Sequence, residues 1–225
     1  MGKRTPTMNW KRVVLKGAPA TEICALAKNF DLIVIATHGR TGLKYFWIGS
    51  IAEKVVRRSP CPLLAVRHSA DRTDVGNGNP FPAERMLVPS DFSTLSKGAV
   101  ARGAQLAKRF RAKIDLLHVF ESPPYPEFAY AHVALKESGH RRLVAGKIDA
   151  LSRDVPGLQD VLGETLVRTG SIAHEILQTA LLLNSDLIVM ATHARTGPQH
   201  LALGSNTEKV LRHAHCPVLI FPPRK

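Results

Sequence analysis

The strongest constraint on this chain is that part of it occurs twice. Residues 31–66 read DLIVIATHGRTGLKYFWIGSIAEKVVRRSPCPLLAV and residues 186–221 read DLIVMATHARTGPQHLALGSNTEKVLRHAHCPVLIF, with 19 of 36 positions identical at a constant offset of 155. The match continues upstream, where Gly17-Ala18-Pro19-Ala20-Thr21-Glu22-Ile23 lines up with Gly170-Ser171-Ile172-Ala173-His174-Glu175-Ile176 at an offset of 153. A repeat of this kind is one supersecondary unit used twice, so the first copy must take the fold of the matching part of the second. The copies are unequal, because the second runs upstream from Gly170 to Glu84 whereas the first has only the residues before Gly17. The expectation is a complete domain over residues 84–225, a truncated copy holding only a second half over 1–67, and a linker over 68–83. That linker, HSADRTDVGNGNPFPA, is rich in Gly, Asn, Asp and Pro and poor in aliphatic residues. The short front is read either as a real truncation or as a start site assigned too late.

Hydrophobic periodicity supplies the elements of the complete copy. Met86-Leu87-Val88-Pro89 is a buried strand stopped by proline, and Ser93 to Arg111 carries Leu95, Ala99, Val100, Gly103, Leu106, Ala107 and Phe110 at helical spacing. Lys113 to Phe120 is a second strand, and a Pro-rich run from Ser122 to Glu127 leads to an amphipathic stretch from Val133 to Leu151. A strand (Glu164 to Arg168), a helix (Ala173 to Leu183), a strand (Asp186 to Ala191), a helix (Ser205 to His213) and a strand (Pro217 to Phe221) follow. Strands alternating with helices require crossover connections, so the fold class is α/β, a doubly wound, mainly parallel sheet with helices on both faces.

Composition excludes several classes. With 44% hydrophobic and 22% charged residues over 225 positions, the chain has the balance of an ordinary globular protein. No run approaches the ~20 apolar residues of a membrane-spanning helix, and Met-Gly-Lys-Arg-Thr-Pro opens no signal peptide, so a cytoplasmic location without membrane partners is expected. Cys24, Cys61 and Cys216 form no Cys-x-x-Cys pair, which argues against a disulfide framework or structural zinc and leaves them as small buried hydrophobes. His213 and His215 are spaced wrongly for one helical face, so no metal site is expected. The unusual quantity is charge: 31 basic against 18 acidic residues give +13. Nucleic acid is a possible target of such a charge, but the basic residues are scattered and lack interleaved aromatics, so a basic solvated surface is the leading reading.

In doubly wound sheets ligands sit beyond the carboxyl ends of the strands. Two segments meet there. Pro89-Ser90-Asp91-Phe92-Ser93 brings a carboxylate and hydroxyls, and Met190-Ala191-Thr192-His193-Ala194-Arg195-Thr196-Gly197 is followed by Gly204-Ser205-Asn206-Thr207 at a helix start. Backbone N–H groups at that start, with the Ser205 and Thr207 hydroxyls, suit a phosphate. The plainer alternative is that Ser205 and Asp91 only cap their helices.

These motifs resemble the universal stress protein family: the apolar strand, ATHxRTG, six intervening residues, Gly-Ser, the x-Glu-Lys-Val helix, the closing Cys-Pro strand and the opening LVPSDFS. The resemblance covers Glu84 to Lys225 as one domain and Arg12 to Arg67 as the second half of another, a tandem form with a truncated N-terminal copy. It implies a five-stranded parallel sheet of order 3-2-1-4-5, of the adenine nucleotide alpha hydrolase-like type. It also implies a dimer through the last strand, so that Leu63, Leu64, Ala65 and Val66 would lie against Val218, Leu219, Ile220 and Phe221. Strand 3 of the truncated copy, Val13 to Leu15, would then lack neighbours, and residues 1–67 would depend on the C-terminal domain or another chain.

One branch of that family binds ATP through Gly-x-x-Gly, nine residues, Gly-Ser/Thr. The corresponding positions are Ala191, Ala194 and Gly204-Ser205 in the complete copy, and Ala36, Gly39 and Gly49-Ser50 in the truncated one. An alanine in ordinary backbone costs little there, whereas one at positive φ or against the phosphates adds a methyl in the way. The resemblance assigns Asp91 to the adenosine part and Val119 to the apolar wall. The expected site is Pro89, Ser90, Asp91, Val119, Met190, Ala191, His193, Ala194, Gly204, Ser205, Asn206 and Thr207, with His38, Gly39, Gly49 and Ser50 as a weaker second set. ATP is the expected ligand, with Mg²⁺ arriving only on the nucleotide. His38 and His193 have no nucleophile partner, and Ser50 and Ser205 lie outside Gly-x-Ser-x-Gly, so no catalytic residue is expected beyond slow incidental hydrolysis. The leading expectation is a stress-response protein acting through nucleotide binding and association with partners of unknown identity. The alternatives are an interaction module of the same fold without nucleotide, and a basic nucleic-acid binder.

Overall fold

The computed structural model describes residues 9–36, 49–66, 83–121, 130–192 and 204–222. The Pro-rich run after Glu121 and all of the expected linker but Ala83 lie outside them. The N-terminal part supplies α1 (Pro19–Leu26) with a 3₁₀ turn (Ala27–Asn29), β1 (Ile33–Ala36), α2 (Ser50–Arg58) and β2 (Leu63–Val66). The remainder supplies β3 (Arg85–Pro89), α3 (Thr94–Phe110), β4 (Lys113–Glu121), α4 (Tyr130–Asp154), α5 (Leu158–Val161), β5 (Leu162–Gly170), α6 (Ile172–Leu182), β6 (Leu187–Ala191), α7 (Ser205–His213) and β7 (Val218–Phe221). The short α5, invisible to periodicity because it is barely one turn, is tied down by buried Leu158 and Val161. It delivers the chain into a β5 longer than apolar content suggests.

The boundaries of α1 and α3 have local causes. Pro19 starts α1 at a position where its missing N–H is no loss. Ser93 caps α3 by accepting the Ser96 N–H at 3.2 Å, and Arg111 closes the helix in the left-handed conformation after Lys108 and Arg109 in the last turn. The inner face of α3 is built of small residues, and a methyl on Gly103 would already touch Val88, Ile114 and Val189 at 3.5–3.7 Å. That face lets the helix lie close on the sheet. Gly17 and Gly170 occupy matching positions before α1 and α6, at φ +149 and +152, each under the carboxylate of Glu22 or Glu175. The two residues lost from the first copy fall at the end of its helix, where α1 is three residues shorter than α6 and a 3₁₀ turn follows with a connection, counted to the equivalent strand position, one residue longer.

The described strands form one mixed sheet in the order β1-β2-β7-β6-β3-β4-β5. Within residues 85–221 the order is the one the resemblance implies, with β3 central, β4 and β5 on one side and β6 and β7 on the other, all parallel. The sheet does not stop there. β2 joins β7 antiparallel, pairing Leu63 with Ile220, Leu64 with Leu219 and Ala65 with Val218, so seven strands replace the five of a separate domain. The register is symmetric with respect to the repeat, because Leu64 faces its own counterpart Leu219 and the flanking pairs exchange equivalents. The joint is therefore a pseudo-two-fold, isologous contact made inside one chain. Helices α2 and α7 carry the same symmetry. Each has an i,i+4 pair, Glu53–Arg57 at 2.9 Å and Glu208–Arg212 at 2.8 Å, and Arg57 reaches across to Glu208 at 3.2 Å. These partly exposed pairs add little energy, on the order of 0.2–1 kcal/mol each. Burial does more, and Leu63, Val55, Val210, Val218 and Ile220 all lie in one continuous core.

Alternation along the strands divides the core between two faces. Leu87, Ile188, Met190, Val218 and Ile220 pack under residues of α1, α2, α6 and α7, while Met86, Val88, Val189, Leu219 and Phe221 pack under α3, α4 and α5. On the second face no described element covers β1, although Leu64 of β2 packs against the core there. Val34 is 61% exposed although its repeat counterpart Val189 is 0% exposed beneath α3. Residues 11–16 form no strand and Val13, Val14 and Leu15 are exposed, which matches the expectation that this segment lacks strand neighbours. Between them and β1 opens an apolar cleft of about 420 Å³ whose one charged wall residue, among the described residues, is Glu22. No helix among the described residues is long and apolar enough to cross a membrane.

Candidate functional site

Pro89 ends β3 because it offers no N–H to continue a ladder, and the chain then turns over the carboxyl end of β4 with the Ser90 N–H donated to the Leu117 carbonyl at 2.8 Å. The turn is knit by its own side chains. Ser90 Oγ accepts the Phe92 N–H at 3.1 Å and shares a hydrogen bond with Ser96 Oγ at 3.1 Å, while Asp91 Oδ1 accepts the Ser93 N–H at 3.0 Å. Phe92 is held at φ +62, left-handed backbone that a bulky residue rarely adopts. Asp91 therefore stabilises an Asx turn, while the helix cap is Ser93. The reading of Asp91 as no more than a helix cap is set aside.

A second wall comes from the start of α7. Its N-cap is Gly204 with no side-chain cap, so Ser205 does not cap its own helix. The N–H groups of a helix's first turn have no partner within the helix, and the dipole favours negative charge there. Asn206 and the buried Thr207 follow in that turn. β6 brings Met190 and Ala191 to the same place, and Ala191 stands in extended backbone, so its methyl costs no strain.

These elements enclose a cavity of about 450 Å³. Pro89, Ser90, Asp91, Val119, Met190, Ala191, Gly204, Ser205, Asn206 and Thr207 all line it. His193 and Ala194, like His38 and Gly39, lie outside the described residues. Gly49 and Ser50 open α2 as exposed residues and do not line this cavity. Four wall residues were not anticipated: Ser96, Leu117, Ile172 and Ile176. Ile172 and Ile176 carry a usable signal, since they sit at i,i+4 on the helix that follows a strand ending at the ligand side of the sheet.

Chemically, the cavity has an apolar slot (Leu117, Val119, Ile172, Ile176, Met190), one carboxylate, and an uncapped helix start with hydroxyls. Asp91 is the one titratable residue of its described wall. Among the described wall residues, Asp91 is thus the one side chain that could serve as an acid or base, and the rest offer hydroxyls, an amide and apolar surface. Among the described residues, no group of three His, Cys, Asp or Glu side chains could hold a metal ion. The perturbed groups lie elsewhere. Arg85 at the start of β3 is held in its charged form by hydrogen bonds to Asp115 and Glu164, near the starts of β4 and β5 and thus at the opposite end of the sheet. Burial raises the Cys24 and Cys61 thiols in the N-terminal part.

The sequence model of the universal stress protein family matches residues 3–67 and 82–222. A universal stress protein of Methanocaldococcus jannaschii is 30% identical over 169 residues, covering 72% of this chain and 95% of its own length. One from Mycobacterium bovis is 24% identical over 211 residues, covering 93% of this chain and 68% of its own length. Among solved structures, a universal stress protein from Archaeoglobus fulgidus superposes with a TM-score of 0.63 at 22% identity, over 92% of this chain and 67% of that one. At that identity the likeness speaks for the fold.

Proposed function

The chain belongs to the universal stress protein family, and we propose that the cavity between β3, β6 and α7 binds an adenine nucleotide, ATP foremost, and that the protein acts in stress response by binding rather than catalysis. The observation that carries this reading is the lining of one cavity by an apolar slot, a carboxylate and a helix start. The slot suits a heterocyclic base, the Asp91 carboxylate can accept hydrogen bonds from ribose hydroxyls, and the first-turn N–H groups of α7 with Ser205 and Thr207 suit phosphate. Mg²⁺ would enter only with the nucleotide. Ala191, in ordinary backbone, is compatible with this role.

On the same reading, residues 1–67 are a truncated tandem copy and the β2–β7 joint is an intrachain form of the dimer contact expected of the last strand. A homo-oligomer through those strands would then require exchange between chains.

Thermal melting with ATP tests the ligand. At a ligand concentration 100 times Kd, binding adds about 2.7 kcal/mol of stability, roughly 5–10 °C for a domain of this size. Wild type should show such a rise and Asp91→Ala should lose most of it. No rise at millimolar ATP overturns the reading in favour of an interaction module without nucleotide. Binding to DNA that weakens steeply with salt would favour the basic nucleic-acid binder.

A further inference from the structure

We infer that His118 is a positioning residue that locks the turn after β3 into the shape that presents Ser90 and Asp91 to the cavity. His118 lies near the carboxyl end of β4 and does not line the cavity itself. Its Nδ1 lies 2.7 Å from the Ser90 carbonyl oxygen. A carbonyl only accepts, so Nδ1 carries the proton, and one tautomer is selected. Its ring packs against Phe92 with centroids 4.9 Å apart and meets the Phe120 ring edge-on at 4.7 Å. Lys147 from α4 sets its ammonium 5.3 Å from the centre of the Phe92 ring.

Together these contacts hold both ends of a strained step. Phe92 stands at φ +62, a conformation that is strained for a bulky L-residue unless its surroundings compensate. The His118 hydrogen bond fixes the carbonyl of Ser90, two residues earlier, while the ring contacts fix the Phe92 side chain. Between them lies Asp91, whose direction toward the cavity is set by the two anchored neighbours.

The consequence for ligand binding rests on the nucleotide reading above; the locking of the turn does not. The test compares His118→Ala, His118→Asn and His118→Phe. Asn places an amide N–H where Nδ1 stands and keeps the donor without the ring, whereas Phe keeps the ring without the donor. Two measurements are made on each full-length variant: exchange of the Phe92 and Ser93 amide hydrogens, and the Kd for ATP. Loss of the anchor should speed exchange at both amides about tenfold in Ala and Phe and weaken ATP about tenfold, with Asn restoring both to within about threefold. A side chain that merely packs gives the reverse order, Phe rescuing and Asn failing, and that result overturns the inference. Exchange within twofold of wild type in His118→Ala also overturns it. If Ala fails to fold, the contrast between Asn and Phe decides. If wild type binds no ATP, the nucleotide reading fails, and amide exchange alone judges the lock.

Discussion

Leu63→Ala tests whether the antiparallel joint welds the two parts of the chain into one cooperative unit. Leu63 is 1% exposed, pairs with Ile220 across the joint, and belongs to the core shared by α2, α7, β2 and β7. Truncating it removes three carbons from a fully packed position, with a transfer loss of about 0.8 kcal/mol per methylene and a further penalty for the cavity left behind. The site is bounded by strands on both sides and by helices above, so it collapses poorly. A loss of about 3–4 kcal/mol is expected, and with a urea m-value of roughly 2–3 kcal/mol per molar the midpoint should fall by about 1–2 M. The two tryptophans, Trp10 and Trp47, both lie in the N-terminal part, so their fluorescence reports that part while far-UV circular dichroism reports the whole chain. In wild type the two probes should give one coincident transition, and in Leu63→Ala both should shift together. If fluorescence moves alone while dichroism keeps its wild-type midpoint, the N-terminal part unfolds independently and the reasoning fails. A cooperative transition in residues 1–67 expressed alone would refute it from the other side.

Asp115 is 1% exposed and accepts hydrogen bonds from Arg85 and, at 2.8 Å, from the Glu164 N–H. Asp115→Ala leaves the Glu164 N–H unpaired and Arg85 with Glu164 alone, and should cost about 2–4 kcal/mol in urea unfolding, Asp115→Asn less, and neither should change any rise in melting temperature with ATP because the cluster lies at the other end of the sheet. Burial raises the Cys24 and Cys61 thiols above their ordinary value of 9.0. Unfolded thiols therefore lose their protons first: their stabilising contribution is full below about pH 9 and is lost as pH rises through the higher folded values. The unfolding midpoint should fall above pH 9, less steeply in a Cys24→Ala, Cys61→Ala double variant, and native protein should react slowly with iodoacetamide at neutral pH.

Much of the candidate site is legible because its chemistry sits in short contiguous motifs. Pro89-Ser90-Asp91 and Gly204-Ser205-Asn206-Thr207 each follow a strand or open a helix, and the rule that ligands bind at the carboxyl ends of parallel strands brings them together. Ile172, Ile176 and Leu117 were missed because an apolar residue lining a cavity reads like one facing the core until the neighbouring elements are in place. His118 reads as one more half-buried strand residue. Only the turn folded over it turns Nδ1 toward the Ser90 carbonyl.

By itself the sequence determined the repeat, the alternation of strands and helices, and the split of each strand between two faces, since these follow from local periodicity. It did not decide where β2 goes, because Leu63–Val66 has the same pattern whether it pairs within the chain or with another. Nor did it decide burial. Leu32-Ile33-Val34 and Leu187-Ile188-Val189 are identical in sequence, yet Val34 is 61% exposed and Val189 0%. The difference is α3, which packs over β6 while β3 flanks it in the sheet, whereas no described element covers the same side of β1. Burial is a property of what packs against a residue, and that is supplied by segments far away in the chain.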